Sequence, residues 1–334
     1  MVPLLIGALS TACAGLNPEE AESEAEGGMP QVIIGKAVDS IGFTTVEVAQ
    51  EKGYFKKEGV AVQQELLGGS STAFAALQSG EVQFVTASST ALLNARVKDV
   101  PLQAVASLDY GTSLQMLGSN KFVKEHKPSP DQSVETTMKQ LEGGTLGVVS
   151  TTDVTYYRYL MDRAGVGPDK YKIITVKSHA AGVAALDHSQ IDAFLLSPPS
   201  TYFAESQGKA KIIAKLHDVP DLRDMTYDIL VTSTSYAESH PDVVKSVARA
   251  MAQSDKIMGS DPEAVLAIER EHYPEMSDEV LLDSLKYVNF PPDGKMTQER
   301  WEKVRDLARL SDVPGAADVD LEPDKGTWTN RYLE

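Results

Sequence analysis

The sequence contains a single cysteine, Cys13, which excludes an intrachain disulfide and a cluster of thiolate metal ligands. It also lacks the G-x-x-x-x-G-K-[ST] loop that binds nucleotide phosphates. The chain is therefore not expected to hydrolyse ATP, and any step that uses ATP would need a partner. No G-x-S-x-G motif occurs, and the 6 histidines are scattered without an H-x-x-x-H pair that could hold a metal. We therefore expect no cofactor, no metal and no catalytic residues.

Basic residues are scarce. The chain has 31 Lys and Arg against 48 Asp and Glu, a net charge of −17. Nucleic acids and anionic membrane surfaces both require clustered positive charge, so neither is expected as a partner. No apolar run past the N-terminus approaches the roughly 20 residues that a membrane-spanning helix needs. A length of 334 residues, of which 42% are hydrophobic, favours two compact lobes over one domain.

Residues 1–30 predict a secretion signal followed by a tether. Residues 2–9 are apolar, and Leu9-Ser10-Thr11-Ala12-Cys13 resembles a lipobox, with small residues before the cysteine. The glutamate-rich stretch that follows is almost free of apolar residues and cannot form a packed core. No Lys or Arg precedes Lys36, so the basic region of a signal is missing. We expect cleavage before Cys13 and acylation of its thiol; the alternative is a disordered N-terminus.

From residue 32 onward, short apolar strands alternate with helical stretches, which is typical of βαβ units and a largely parallel sheet. Strands are predicted at 32–34, 60–66 and 82–85, and helices at 44–51, at 70–77 and from Ser88. Gly53 is expected to end the first helix in the left-handed conformation. The C-terminal part is predicted to be helical, at 241–258, 262–271, 277–287 and 297–310.

Two segments share one pattern: residues 75–84 and 184–194 each end a helix, turn tightly and enter a strand that leads to a hydroxyl-rich turn. Two lobes built on the same plan would produce this echo. Residues 114–117 and 227–231 are predicted strands at the crossings between the lobes, and polar, proline-containing segments lie near each of them. The predicted boundaries are 31–118 plus 225–334 for lobe 1 and 119–224 for lobe 2.

Four motifs in the same order carry a family resemblance. The run from Ala49 to Val60, A-Q-E-K-G-Y-F-K-K-E-G-V, is similar to a signature of the nitrate/sulfonate/taurine/thiamine-precursor-binding proteins. Gly68-Gly69-Ser70, the run ending at Phe84 and the run ending at Pro198 resemble further motifs of this family. The resemblance implies an α/β, two-lobed type II periplasmic-binding-protein fold. Each lobe would be a mostly parallel sheet flanked by helices, with a ligand cleft between the lobes.

Five turns are predicted to line that cleft, because ligands of open α/β sheets lie beyond the carboxyl ends of the strands. Most of these turns are rich in Ser, Thr or Gly and precede a helix, where free N–H groups bind oxygen-bearing ligands; the alternative role is ordinary N-capping. The candidate ligand-binding residues are Ser40, Gly42, Phe43, Gly69, Ser70, Ser88, Ser89, Thr90, Tyr110, Ser150, Thr151, Thr152, Asp153, Tyr156, Pro198 and Ser200.

The five turns contain no Lys or Arg, whereas Asp39 and Asp153 are present. Burying an anion beside carboxylates is costly, so a neutral or amine-bearing ligand is favoured over a sulfonate. Two roles are open for Asp153, which either pairs with a ligand amine or complements the dipole of its helix. Tyr110, Tyr156 or Tyr202 would stack on a heteroaromatic ligand.

Two functions from different classes follow. The resemblance implies a monomeric substrate-binding lipoprotein of an ABC importer, held outside the cytoplasmic membrane by a lipid on Cys13. It would bind a small organic molecule and deliver it to a permease and its ATPase. The alternative is an enzyme of the same superfamily, such as a thiamine-pyrimidine-precursor synthase, which depends on clustered histidines and cysteines that this chain lacks.

Overall fold

The computed structural model describes residues 24–25, 28–129, 131–310 and 313–334. Cys13 and most of the predicted signal and tether lie outside the described residues, so the lipobox stays a prediction. The strands are Glu24–Ala25 (β1), Met29–Lys36 (β2), Ala61–Leu66 (β3), Phe84–Ser88 (β4), Leu102–Ser107 (β5), Gln115–Ser119 (β6), Thr145–Val148 (β7), Lys172–Thr175 (β8), Ala193–Leu196 (β9), Ala210–Lys215 (β10) and Asp228–Ser233 (β11).

Helices separate most of these strands and fill the C-terminal part of the chain. Those up to the second sheet are Thr45–Glu51 (α1), Tyr54–Lys57 (α2), Ser70–Ser79 (α3), Ser89–Arg96 (α4), Asn120–His126 (α5), Val134–Gln140 (α6), Thr151–Arg163 (α7), His179–Asp187 (α8) and Ser200–Ser206 (α9). The later ones are Pro220–Arg223 (α10), Thr234–Ser239 (α11), Pro241–Ser260 (α12), Leu266–His272 (α13), Asp278–Tyr287 (α14) and Gln298–Leu310 (α15).

Serine hydroxyls start many of these helices, because an N-cap oxygen satisfies an N–H group that has no partner within the helix. Each N-cap serine accepts a hydrogen bond from the third helical residue, at Ser88, Ser119, Ser133, Ser150, Ser178, Ser233 and Ser277. Gly53 adopts the left-handed conformation between α1 and α2, with φ of 69°. This confirms the conformation expected of that glycine.

The first sheet has the order β3-β2-β4-β11-β5, with the short β1 paired to the start of β2. β2 pairs in parallel with β3 and β4, whereas β11 is antiparallel to both of its neighbours. The second sheet has the order β8-β7-β9-β6-β10, with β6 antiparallel to β9 and β10. The two sheets thus share one topology, with β11 and β6 in equivalent places. This is the two-lobed α/β architecture predicted from the sequence.

One predicted boundary needs correction. The sequence placed residues up to 118 in lobe 1, but β6, which ends at Ser119, hydrogen-bonds to β9 and β10 in the second sheet. The strand is apolar and fully buried, so the sequence shows that it belongs in a core but not in which one. Here lobe 1 denotes the first sheet with α1–α4 and α11–α15, and lobe 2 denotes the second sheet with α5–α9.

The chain crosses between the lobes twice, and the two crossings pair with each other. The Gly111 N–H donates to the Met225 carbonyl at 2.7 Å, and the Thr112 N–H donates to the Leu222 carbonyl at 2.9 Å. Tyr110 and Thr226 form an isolated antiparallel bridge. The crossing segments are therefore a hydrogen-bonded pair between the lobes.

The predicted C-terminal helices are present as α12 to α15, and α12 buries one face against α1 and β5. Lobe 1 is therefore larger than lobe 2. In the described part of the chain, none of the helices combines the length and the apolarity needed to cross a bilayer.

Candidate functional site

The carboxyl ends of β2, β4 and β5 lie along one edge of the first sheet, and the segment after β2 contacts lobe 2 through Ile41. The rules for open sheets place a ligand beyond this edge, and we call this boundary between the lobes the crevice. Because β11 is antiparallel to β4 and β5, its first residue lies at this same edge. Asp228 is paired with Ser88, the last residue of β4, and Ile229 is paired with Ser107, the last residue of β5. The start of β11 therefore brings a carboxyl group to the crevice.

The turn at residues 40–43 forms one wall of the crevice. Ser40 and the short helical turn that follows are buried, and the Ser40 side chain makes no capping hydrogen bond. The Ile41 N–H donates to the Pro198 carbonyl of lobe 2 at 3.3 Å. The structure thus brings together three of the predicted turns, those at Ser40–Phe43, Ser88–Thr90 and Pro198–Ser200, whose residues contact one another or the start of β11.

Asp109 and Asp228, the carboxyl pair, lie behind Gly42. A Cβ on Gly42 would sit 2.7 Å from Asp228 Oδ2 and 3.1 Å from Asp109 Oδ2, so only a glycine lets the backbone approach both groups. Asp109 Oδ1 accepts a hydrogen bond from the Asp228 N–H at 2.7 Å, whereas Asp109 Oδ2 is buried without a partner. Among the described residues, none of the ion pairs involves either carboxyl group.

Burial changes the acidity of the carboxyl pair. Loss of solvent raises the pKa of Asp109 to about 7, although the N–H of Asp228 opposes this shift. Burial also raises the pKa of Asp228 well above its ordinary value, and the neighbouring Asp109 carboxyl adds to the shift. Two carboxyl groups this close cannot both be ionised at low cost unless a cation joins them.

Tyr156 of lobe 2 lies near the carboxyl pair, since both acids act on its hydroxyl electrostatically. Its side chain is fully buried and hydrogen-bonded to Thr112 in the crossing segment, and its hydroxyl lies 3.8 Å from Met225 Sδ. Burial raises its pKa, and the nearby Asp228 and Asp109 raise it further. An ammonium group held between the carboxyl pair and this ring would be contacted from both lobes.

The C-terminal helices hold the Gly42 turn in place. Thr44 Oγ1 donates to Glu269 Oε1 at 2.7 Å, and Thr45 Oγ1 donates to Asp255 Oδ1 at 2.9 Å. Both acids are fully buried; burial raises the pKa of Glu269 to about 7 and raises that of Asp255 well above its ordinary value. Through these hydrogen bonds the two acids orient the start of α1.

The two acids considered in the sequence both have protein partners. Asp153 Oδ2 accepts hydrogen bonds from the N–H groups of Val149 and Ser150, at 2.9 and 3.0 Å, and completes a capping box with Ser150. Asp39 Oδ1 is 2.8 Å from His272 Nε2 and accepts from the Tyr273 hydroxyl at 3.2 Å. Of the two roles open for Asp153, the helix start therefore accounts for the observed contacts.

The remaining candidates lie at helix starts or at the crossing. Ser89 and Thr90 are buried at the start of α4, and Ser89 Oγ donates to the Thr226 carbonyl at 2.6 Å. One face of the Tyr110 ring is covered by the Arg300 guanidinium, 4.0 Å from the ring centre. Phe43 packs in the hydrophobic core of lobe 1. Half-buried positions at helix starts are occupied by Gly69, Ser70, Ser88, Thr152 and Ser200, and Thr151 is the first residue of α7.

The lobes also meet through aromatic side chains. Tyr287 of α14 stacks on His217, with ring centres 4.4 Å apart, and contacts Tyr202 of α9 edge-on at 6.3 Å. The buried Gln115 donates to the Tyr202 hydroxyl at 3.2 Å and accepts from Thr201. The Tyr287 contacts and the Ile41–Pro198 hydrogen bond join the two lobes, whereas Gln115 holds α9 within lobe 2.

Sequence reasoning missed the carboxyl pair. Each acid borders an apolar strand, which is an unusual place for a charge, and this signal was available. No group of three or more His, Cys, Asp or Glu side chains in the described ranges is arranged to hold a metal ion.

Comparison with known proteins identifies the family. Residues 40–265 match the model of the family described as NMT1/THI5 like. The chain belongs to this family. The match covers more than half of the chain and includes lobe 2, both crossings and part of lobe 1. It confirms the family that the four sequence motifs predicted.

A curated relative of the family is the taurine-binding periplasmic protein of Escherichia coli strain K12. It is 25% identical over 224 residues, which are 66% of this chain and 65% of the relative. The chain thus spans slightly less than two thirds of the length of this relative.

Solved structures establish the fold of this family member. A protein from Bordetella bronchiseptica RB50 superposes with a TM-score of 0.75 at 22% identity, over 91% of this chain and 95% of the other. The ligand-binding component of an ABC-type import system from Staphylococcus aureus gives a TM-score of 0.70 at 17% identity, over 89% and 99%. The predicted periplasmic-binding-protein fold is confirmed.

Proposed function

We propose that this protein is the substrate-binding component of an ABC importer and that it captures a small organic molecule bearing a protonated amine. It binds its ligand in the crevice between the lobes, outside the cytoplasm, and delivers it to a membrane permease that works with an ATPase. It acts as a monomer and catalyses no reaction. The observation that carries the ligand class is the carboxyl pair, Asp109 and Asp228.

The pair favours a cation because nothing in the described part of the protein neutralises it by an ion pair. Asp109 Oδ2 is buried without a hydrogen-bond partner, and Oδ2 of both acids packs against Gly42. A buried carboxylate is stable only when it is paired or hydrogen-bonded. The name of the Escherichia coli relative also supports an amine, since taurine carries one. Tyr156 and the predicted hydroxyl-rich turns would contact the rest of the ligand.

Three small probes test the ligand class: taurine, which has an amine and a sulfonate; ethanesulfonate, which lacks the amine; and ethanolamine, which lacks the sulfonate. We expect at least one amine to raise the melting temperature and ethanesulfonate to leave it unchanged. A ligand present at 100 times its Kd stabilises the folded state by about 2.7 kcal/mol. Stabilisation by ethanesulfonate and by neither amine would contradict an amine ligand and favour an amine-free anion.

We further propose that the protein is a lipoprotein anchored through Cys13. The lipobox-like Leu9-Ser10-Thr11-Ala12-Cys13 and the glutamate-rich stretch after it support this anchor. Expression in a bacterial host with a fatty-acid analogue should label the parent protein and leave Cys13→Ser unlabelled. Equal labelling of the two proteins would remove Cys13 as the anchor.

A further inference from the structure

Asp109 and Asp228 are two acids buried side by side at the place where an amine ligand is proposed to bind. Asp109 is fully buried, and 5% of Asp228 is exposed. A Cβ added to Gly42 would sit 2.7 Å from Asp228 Oδ2 and 3.1 Å from Asp109 Oδ2, so the two carboxyl groups pack side by side against this glycine. Like charges at this separation are strongly unfavourable in a buried site, and acids so placed share a proton.

In the described part of the chain, the titratable groups that act on the pair offer no positive charge in place of that proton. Asp255 of α12, a third acid, interacts electrostatically with Asp109. Tyr156 of α7 and Tyr227 at the start of β11 are fully buried, and burial keeps both hydroxyl groups neutral by raising their pKa. Asp153 acts on Tyr156 from the start of α7. Each titratable group that acts on the site is therefore an acid or a tyrosine.

We infer that Asp109 and Asp228 hold one proton between them when no ligand is bound, and that an amine ligand displaces it. The empty pair carries one negative charge; the occupied pair carries two, balanced by the ligand ammonium, and the displaced proton passes to the solvent. Ligand capture is then an exchange of a cation for a proton. This inference rests on the proposed function, because it requires an amine in the crevice.

The exchange makes binding depend on pH. The pKa of Asp109, about 7, is the lower of the two, because an ionised Asp109 raises the pKa of Asp228 further. The pair therefore holds one proton above about pH 7 and gains a second below it. Where the ligand must displace one proton, its apparent affinity should rise by up to about tenfold per pH unit as pH increases. The pair also makes the affinity for molecules without a positive charge lower than that for amines. Such molecules leave the shared proton in place and gain no ion pair.

Titration calorimetry with taurine measures the exchange directly. The same titration is run at pH 6, 7 and 8 in buffers that differ in ionisation enthalpy, so that the dependence of the heat on the buffer gives the number of protons released. We expect nearly one proton per taurine at pH 8 and more at pH 6, where the pair holds a second proton. Asp109→Asn should release about half as many protons as the parent at pH 6, because only one carboxyl group is left to lose a proton.

Glu269→Gln is the matched control. Glu269 is also buried, and its pKa is likewise raised to about 7, but it binds Thr44 and not the carboxyl pair. This variant should release as many protons as the parent. If its proton release falls while that of Asp109→Asn equals that of the parent, the proton belongs to Glu269 and the inference is wrong.

Two further outcomes separate the inference from the proposed function. Taurine binding without proton release at pH 6 overturns the exchange and leaves the amine site intact. If ethanesulfonate binds and taurine does not, the amine site itself fails, and the exchange with it. An infrared spectrum of the ligand-free protein decides the case in which neither probe binds. At pH 7 the parent should have a protonated-carboxyl band that weakens in both Asp109→Asn and Asp228→Asn. If the parent and the two variants give identical spectra, the two acids do not share a proton.

Discussion

Replacing Asp228 by Asn is expected to weaken binding of an amine ligand by about 1.5–3 kcal/mol, the worth of a hydrogen bond to a charged group. That corresponds to a loss of roughly ten- to hundredfold in affinity. Asn keeps the shape of the side chain and can still bond to Asp109, so the change removes charge and little else. Calorimetry with taurine measures the loss, and affinity for an amine-free sulfonate should stay the same or increase.

Asp153→Asn is the control for this variant. Asp153 is also a crevice-side acid, buried to 7% exposure, but its carboxylate already accepts two backbone N–H groups at the start of α7. We expect it to change the ratio of taurine to ethanesulfonate affinity by less than about twofold, because a helix cap acts on stability and not on ligand charge. A larger effect from Asp153→Asn than from Asp228→Asn would move the amine site to lobe 2.

Asp228→Asn should not destabilise the protein. Because the folded-state pKa of Asp228 lies well above its ordinary value, the folded protein must either keep a proton or bury a charge. The contribution of Asp228 to the free energy of unfolding falls as pH rises from its pKa in the unfolded chain through its pKa in the folded protein. Asp228→Asn avoids this loss, so the excess of its melting temperature over that of the parent should be larger at pH 8 than at pH 5. Binding and stability would then change in opposite directions.

Gly111→Ala should cost more than about 3 kcal/mol of unfolding free energy, because two penalties combine at the crossing. Gly111 has φ of 71°, which favours glycine, and an added Cβ would overlap the Arg223 carbonyl oxygen. Its N–H also donates to the Met225 carbonyl, so the backbone cannot move away without losing the pairing of the crossings. Denaturant unfolding of the ligand-free protein measures the loss.

Gly53→Ala separates the two penalties. Gly53 has nearly the same φ, 69°, but nothing lies within 4 Å of an added Cβ. We expect a loss of about 1–2 kcal/mol from the left-handed conformation alone. If Gly111→Ala and Gly53→Ala lose the same free energy of unfolding, the crossing segments tolerate a shift at Gly111. The pairing of the crossings would then not restrict this position.

Much of the fold was accessible from the sequence because local signals agreed with one another. The periodicity of α12, the Gly53 turn and the strand at 61–66 are determined by neighbouring residues, and the structure has each of them near its predicted position. The repeated helix–turn–strand unit also indicated two similar lobes. These features depend on contacts that are short in sequence.

The boundary and the site were harder because they depend on contacts that are distant in sequence. β6 is an apolar strand that could enter either core, and its choice is made by hydrogen bonds to β9 and β10. Asp228 is 119 residues from Asp109, its partner in the carboxyl pair. The direction of β11 brings Asp228 to the crevice, and no local pattern reveals whether a strand runs parallel or antiparallel.

A crystal structure of the protein with a bound amine, either taurine or ethanolamine, tests the central claim most directly. We expect the ligand nitrogen within about 3.2 Å of a carboxylate oxygen of Asp109 or Asp228, in front of Gly42, with Tyr156 on its opposite side. If the nitrogen instead points away from both acids, or an acidic group of the ligand lies against Gly42, the carboxyl pair does not select the ligand.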